Sequence, residues 1–173
     1  MEGRTLRPLI SRDRISEVVA RLGWAISRDY AGRNLVLVGV LKGAFVFLAD
    51  LARTLSVPVK IDFVRIGSYG VRQESSGAIT VTKEVEIPLR GLDVLIVEDI
   101  VDTGLSLAFL VDYLAAQQPS SLKICVLVDK KSRREVEVAV DYVGFEIEDG
   151  FVVGYGLDCA EEYRALPGLF VLE

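Results

Sequence analysis

Residues 94–107 read VLIVEDIVDTGLSL, and the interpretation of this stretch decides the fold. Four apolar residues, Val94 to Val97, run straight into Glu98 and Asp99, and Asp102-Thr103-Gly104 follows after two more. A short continuous apolar run is the mark of a strand covered on both faces. Such a strand has little reason to open onto three carboxylates and a turn unless something polar binds there. Residues 105–116 then read as a helix. Where a strand turns into a helix, the first backbone N–H groups are unpaired and the positive end of the helix dipole faces outward, a geometry that holds phosphate. Thr103 and Ser106 add hydroxyl donors, and Gly104 admits a close approach to the backbone. Glu98 and Asp99 repel phosphate, but they can accept hydrogen bonds from sugar hydroxyls or hold Mg2+ through water. A phosphate cradle beside hydroxyl-binding carboxylates describes a site for a phosphorylated ribose. A lone Asp-Thr-Gly reads equally well as a helix cap; the complete pattern asks for more.

The same alternation extends outward from this stretch. Ile15, Val18, Val19, Leu22 and Ile26 recur at helical spacing over residues 11–28. LVLVGVL at 35–41 is a buried strand, KGAFVFLADLARTL has helical length, and VKIDFVRI follows Pro58 as a further strand. DVLIV at 93–97 and LKICVLV at 122–128 continue the series, and residues 140–145 and 151–156 are strand-like. Strands alternating with helices imply a parallel α/β sheet, whose ligands collect outside the carboxyl ends of the strands. Lys42-Gly43, residues 98–106 and Asp129-Lys130-Lys131 all fall at such ends. Residues 67–86 are the most polar segment, with glycines and then an alternating tract at Ile79, Val81, Lys83 and Val85, and read as a long mobile hairpin or lid.

Composition narrows the chemistry. A chain of 173 residues, half of them hydrophobic, suits one domain with a sizeable core. No apolar run approaches the roughly 20 residues that span a bilayer, and MEGRTLRPLI lacks the apolar core of a signal peptide. Cys125 and Cys159 are too few for a disulfide framework, which points to a reducing cytoplasm. The chain has no histidine, which excludes Ser-His-Asp and Cys-His catalysis and histidine-based metal sites. Catalysis must rest on carboxylates, Lys, Arg, Tyr, backbone groups or an oxygen-ligated metal such as Mg2+. A net charge of −5 argues against a nucleic-acid partner, and nothing suggests a membrane.

VLIVEDIVDTG resembles the phosphoribosyl-pyrophosphate (PRPP) signature of the type I phosphoribosyltransferases: a hydrophobic strand, two acidic residues and a loop rich in Asp, Thr, Ser and Gly. The resemblance covers most of the chain. VGVLKGAFVF is similar to the pyrophosphate loop of that family, and Ser68-Tyr69-Gly70 to the start of its lid. VLVDKKSRR and VGFEIEDGFVVGYGLDCAEEYRALP resemble the purine-binding segment and hood of its hypoxanthine-guanine branch. The resemblance implies a single domain, 1–173. Its fold would be α/β, a mostly parallel twisted sheet flanked by helices. A small hood would come mainly from about 145–173 plus the N-terminal residues, and the lid from about 67–86. It further implies Mg2+-dependent purine salvage, in which hypoxanthine or guanine plus PRPP becomes IMP or GMP plus pyrophosphate, in a homodimer or homotetramer. A xanthine-preferring enzyme and a nucleotide-sensing regulator on the same fold are the rival readings.

On that resemblance Glu98 and Asp99 bind the ribose hydroxyls, and Thr103, Gly104, Leu105 and Ser106 cradle the 5′-phosphate. Asp102 faces purine N7 as proton acceptor. Lys42 and Gly43 bind pyrophosphate through their backbone N–H groups, Arg164 clamps it with its side chain, and the Leu41-Lys42 bond is a candidate cis peptide. Lys130 donates to the purine 6-oxo group, a contact that adenine, with an amino group there, cannot accept. Phe151 stacks on the base with Ile100 opposite, and the Val152 backbone meets the base edge. Asp158, also assigned to the purine site, holds a second Mg2+ beside the pyrophosphate, as Glu98 and Asp99 hold one at the ribose. Ser68 and Tyr69 ride on the lid. Lys131, Arg133 and Arg134 read as no more than a basic turn. Ala44 and Leu105 depart from the glycine and the polar residue many relatives carry at those places; a cradle of backbone N–H groups tolerates both.

Overall fold

The computed structural model describes residues 5–69 and 78–173. Its elements run β1 (Leu6–Ile10), α1 (Arg12–Asp29), β2 (Leu35–Leu41), α2 (Phe45–Thr54), β3 (Val59–Tyr69) and β4 (Ala78–Lys83). There follow β5 (Asp93–Val101), α3 (Leu105–Ala115), β6 (Ser121–Lys130), β7 (Tyr142–Ile147), β8 (Val152–Val153) and β9 (Leu169–Leu172). Among the described residues they make a main sheet of order β4-β3-β2-β5-β6-β7 and a small sheet of order β1-β9-β8. All main-sheet pairs are parallel except β3 with β4.

The apolar runs are continuous because the main sheet is covered on both faces. Leu95 and Val97 pack with Leu35 and Leu37 against α1 and α2, whereas Val94 and Ile96 pack with Val36 and Val38 against α3. Strict alternation would return Val101 to the face of Leu95. Instead Val101 joins Val94 and Ile96, and Ile100 joins the other layer, so the side-chain order reverses across Glu98 and Asp99. Ser11 caps α1, its hydroxyl accepting from Arg14 N at 3.3 Å. α1 lies close on α2 at Gly23, where a Cβ would meet the Thr54 hydroxyl at 2.1 Å.

Several boundaries differ from the expectations. β5 does not stop at Val97 but continues through Glu98 and Asp99 to Val101, because Glu98, Ile100 and Val101 keep the ladder with β6 despite the charges at 98 and 99. β6 likewise runs to Lys130. The strand expected at 140–145 starts at Tyr142. The strand expected at 151–156 is reduced to Val152–Val153, since Gly154, Tyr155 and Gly156 all adopt positive φ and turn the chain away. The small sheet joins both ends of the chain, Leu6–Ile10 pairing antiparallel with Leu169–Leu172. Ser68 and Tyr69 close β3 opposite Ile79 and Ala78. Residues 70–77, the tip of the expected lid, lie outside the described residues.

The return from β4 is tied to the sheet by Asp62, a buried carboxylate on β3. It accepts from Phe63 N at 2.7 Å, Glu86 N at 2.7 Å and Ile87 N at 2.8 Å, with the Lys83 ammonium 3.7 Å away. Burial alone would raise its pKa; the N–H groups of Ile87, Phe63 and Glu86 and the Lys83 charge outweigh burial and hold it below its ordinary 3.8. A depressed carboxylate adds stability at neutral pH that is lost as the pH falls through its folded-state value. Asp62→Asn should therefore lower unfolding free energy by about 1–3 kcal/mol at pH 7. Denaturant unfolding should show the gap between wild type and variant closing below the ordinary 3.8; a gap independent of pH would contradict this account.

Candidate active site

Parallel pairing brings the carboxyl ends of β2, β5 and β6 to one edge. In the β5–β6 register Val101 stands opposite Asp129, so Asp102 emerges beside Lys130. The turn that follows is capped by Gly104 at φ +86, with no side-chain cap bond. A Cβ there would meet the Val136 carbonyl at 2.2 Å, which restricts the position to glycine. Thr103 Oγ1 accepts from Leu105 N at 3.4 Å, and the Thr103 carbonyl accepts from Glu135 N at 2.9 Å and Val136 N at 3.0 Å. The cradle is therefore held from outside by residues 135–136.

Two cavities meet at this edge. One, of about 140 Å³, is lined by Glu98, Ile100, Asp102, Thr103, Gly104 and Ser106 among others. Its neighbour, about 230 Å³, is bounded by Asp99, Ile100, Asp102, Lys130, Phe151 and Asp158 among others. Ile100 and Asp102 line both. Asp102 Oδ1 is buried with no hydrogen-bond partner, while Oδ2 faces Arg133 at 3.4 Å and Lys130 Nζ at 4.0 Å. Lys130 is 7% exposed, donates to the Gly150 carbonyl at 3.1 Å and pairs with Asp149 at 3.4 Å. Phe151 is 54% exposed, an apolar ring open to the second cavity. Wider grooves of about 700 and 730 Å³ flank α1, but neither has a buried unpaired carboxylate in its wall.

Glu98 and Asp99 sit beneath the cavities as adjacent enclosed carboxyls. Burial and then the charge of Asp99 push Glu98 well above the usual carboxylate range, and burial raises Asp99 as well. Asp99 Oδ1 accepts from Ile100 N at 2.9 Å. A Cβ on Gly43 would fall 1.7 Å from Asp99 Oδ2, so the loop after β2 fits over this carboxylate only because residue 43 is glycine. The Leu41-Lys42 peptide is cis. From the other side Gly156, at φ +106, leaves room for the Gly43 carbonyl, which a Cβ would meet at 2.1 Å. Arg164 donates to the Gly156 carbonyl at 2.7 Å and pairs with Asp158 at 2.8 Å; its Nε is buried without a partner.

These carboxylates bear on Mg2+. Among the described residues no three His, Cys, Asp or Glu side chains converge on one point. Two adjacent carboxyls that resist joint ionisation do suit an ion that keeps its waters and takes further oxygens from a phosphorylated substrate. Asp158 has Oδ1 on Arg164 and Oδ2 on Glu161 N at 2.8 Å, so it would have to exchange a protein contact for a metal.

The structure corrects one reading outright. Arg134 is not part of a solvated basic turn: its side chain is 8% exposed, it forms a close ion pair with buried Asp129, and its Nε donates to the Asp102 carbonyl at 3.1 Å. Arg133 also leaves the turn role, through its pair with Asp102. Only Lys131, 60% exposed and paired with Glu146 at 3.2 Å, fits that reading. Asp129 stands at the end of the apolar run 122–128, and no sequence signal marked Arg134 as its partner.

A family model, the phosphoribosyl transferase domain, matches residues 11–160. The chain is 46% identical over 165 residues to the hypoxanthine phosphoribosyltransferase of Salmonella typhimurium, covering 94% of this chain and 93% of that one. It is 42% identical over 174 residues to the hypoxanthine-guanine phosphoribosyltransferase of Aquifex aeolicus, covering 100% and 98%. A crystal structure of a hypoxanthine-guanine phosphoribosyltransferase from Bacillus anthracis matches with a TM-score of 0.91 at 42% identity, covering 99% of each chain.

Removing Arg134 strands a buried carboxylate. Arg134→Met should cost about 3–5 kcal/mol of unfolding free energy, and Asp129→Asn in the same chain should restore much of it. Equal losses in the single and double variants would contradict the pairing. Glu98 makes the opposite case: a carboxyl raised in the folded state contributes stability below its ordinary 4.5 that is lost as the pH rises through the raised value. Glu98→Gln should therefore melt higher than wild type at pH 8 in metal-free buffer, with the difference narrowing toward pH 4.5. A variant that melts lower at pH 8 would refute the burial argument.

Proposed function

This chain belongs to the phosphoribosyl transferase family, and from that premise we propose that it transfers the phosphoribosyl group of PRPP to a 6-oxopurine, hypoxanthine or guanine, releasing pyrophosphate. The observation that carries this reading is Asp102: it lines both cavities, and its buried Oδ1 has no partner. A group so placed touches both halves of a product whose base and sugar lie in adjoining cavities. The first cavity takes the ribose 5-phosphate, with the phosphate on the N–H groups and hydroxyls of 103–106 and the ribose hydroxyls on Glu98 and, from the wall of the adjoining cavity, Asp99. The second takes the purine, between Ile100 and Phe151, with the Val152 backbone at its edge.

In the reaction the C1′–oxygen bond to pyrophosphate breaks through an oxocarbenium-like transition state, and purine N9 bonds to C1′. The N7 proton passes to Asp102 Oδ1. Lys130 donates to the 6-oxo group, which favours hypoxanthine and guanine over adenine. The backbone N–H groups of Lys42 and Gly43 and the Arg164 guanidinium take the negative charge that builds on the leaving group. Mg2+ held by Glu98 and Asp99 at the ribose, with a second ion held by Asp158 beside the pyrophosphate, would neutralise part of that charge. Residues 67–86, with Ser68 and Tyr69, are assigned to a lid that keeps water from the reactive sugar.

Residues 1–173 act as one domain, with the small sheet as part of a hood. Assembly as a homodimer or homotetramer is assigned on the family resemblance. Among the described residues no helix is long and apolar enough to cross a membrane. The cytoplasm is assigned on cysteine content alone.

Purified protein with PRPP and Mg2+ should release pyrophosphate with hypoxanthine or guanine and not with adenine or uracil. Asp102→Asn should lower kcat by about 10²-fold or more while the fold is kept. Xanthine as the best substrate would move the specificity and leave the site. PRPP binding without turnover on any base would point to a nucleotide-sensing regulator and refute the enzyme.

A further inference from the structure

Lys42, assigned to pyrophosphate through its backbone, and Arg164, assigned through its side chain, also carry cations that do not stand apart. Glu161 bridges them: its Oε1 lies 3.0 Å from Lys42 Nζ and its Oε2 3.3 Å from Arg164 Nη2. One carboxylate with an oxygen on each of two cations repeats the contact a phosphate oxyanion makes when it spans the same pair.

The backbone aims this side chain. Cys159 and Glu162 exchange hydrogen bonds, Cys159 N to Glu162 O at 3.2 Å and Glu162 N to Cys159 O at 3.0 Å, which closes a tight two-residue turn. Its central residues, Ala160 at φ 52 and Glu161 at φ 68, both occupy the left-handed region. Asn-Gly is the favoured occupant of such a turn, and a glutamate there is strained. Glutamate is an uncommon occupant there, and from this position its side chain reaches both cations. Asp158 Oδ2 fixes the turn by accepting from Glu161 N at 2.8 Å, and Asp158 Oδ1 also holds Arg164. Turn, bridging carboxylate and cations thus form one unit. The bridge is also replaceable: Lys42 is 47% exposed and Glu161 63%, so an incoming anion of higher charge can displace it.

Resting on the phosphoribosyl-transfer reading, we propose that Glu161 is an internal stand-in for pyrophosphate. Between turnovers it keeps Lys42 and Arg164 converged on the place the leaving group will occupy. It competes with pyrophosphate for both, and so sets how tightly that product, and PRPP through the same group, is held. Release of pyrophosphate is assisted because the vacated cations are taken back by the protein's own carboxylate.

The test is calorimetric titration of Mg2+ and inorganic pyrophosphate into the full chain at fixed salt, with two charge-matched variants. Glu161→Gln removes the bridge. Glu162→Gln removes the same charge one residue on, from a side chain with no ion pair among the described residues. Both positions are exposed, so neither change threatens the core. Glu161→Gln should bind pyrophosphate about fivefold or more tighter than wild type. It should also show a lower KM for PRPP, whereas Glu162→Gln stays within about twofold, the residue of long-range charge. An unchanged or weaker affinity in Glu161→Gln, or equal tightening in both variants, would overturn the proposal and leave the transfer reading standing. Absence of pyrophosphate binding in wild type would overturn the transfer reading, and this inference with it.

Discussion

Parallel pairing of β5 with β2 on one side and β6 on the other places the central carboxylates and Lys130 at the candidate site. It buries both faces of β5, which is why Val94 to Val97 are all apolar and inaccessible. It also brings three strand ends to one edge. Unpaired helix N–H groups, buried carboxylates and Lys130 then share a space of a few hundred Å³. The hydrophobic effect builds the sheet, and the register of that sheet decides which charges meet.

Close backbone approach is the second organising constraint. Gly43 rides over Asp99, Gly156 faces the Gly43 carbonyl, and Gly104 packs under Val136. Each contact joins a loop to an element distant in sequence, and each would be blocked by a single Cβ. Through them the carboxyl edge of the main sheet is linked to residues 135–136 and to the segment following the small sheet's β8. Asp129 and Arg134 complete this framework with a buried ion pair that fixes the loop carrying Asp102.

The main strands and helices were legible because burial on both faces leaves uninterrupted apolar runs, and α1 because its apolar stripe has a helical period. The cluster at 98–106 was legible because polarity at a strand end is locally conspicuous. Arg134 was hidden: a run of basic residues carries no mark of a partner upstream of it, and its burial follows from tertiary packing alone. β1 and β9 were missed because each is too short to show a pattern, and they form only by meeting across the whole length of the chain. The end of β5 was placed too early because Glu98 and Asp99 look like a boundary, while backbone pairing with β6 continues regardless of side-chain charge.

The central claim is that Asp102 Oδ1 accepts the N7 proton of a purine held across the junction of the two cavities. A crystal structure with PRPP, Mg2+ and a 9-deaza analogue of hypoxanthine tests it most directly, since carbon at position 9 blocks transfer while N7–H is retained. The account predicts N7 within hydrogen-bond reach of Asp102 Oδ1, about 2.6–3.2 Å, with the 5′-phosphate on the N–H groups of 103–106 and the 6-oxo group on Lys130. A base bound elsewhere, or one whose N7 points away from Asp102, would contradict it.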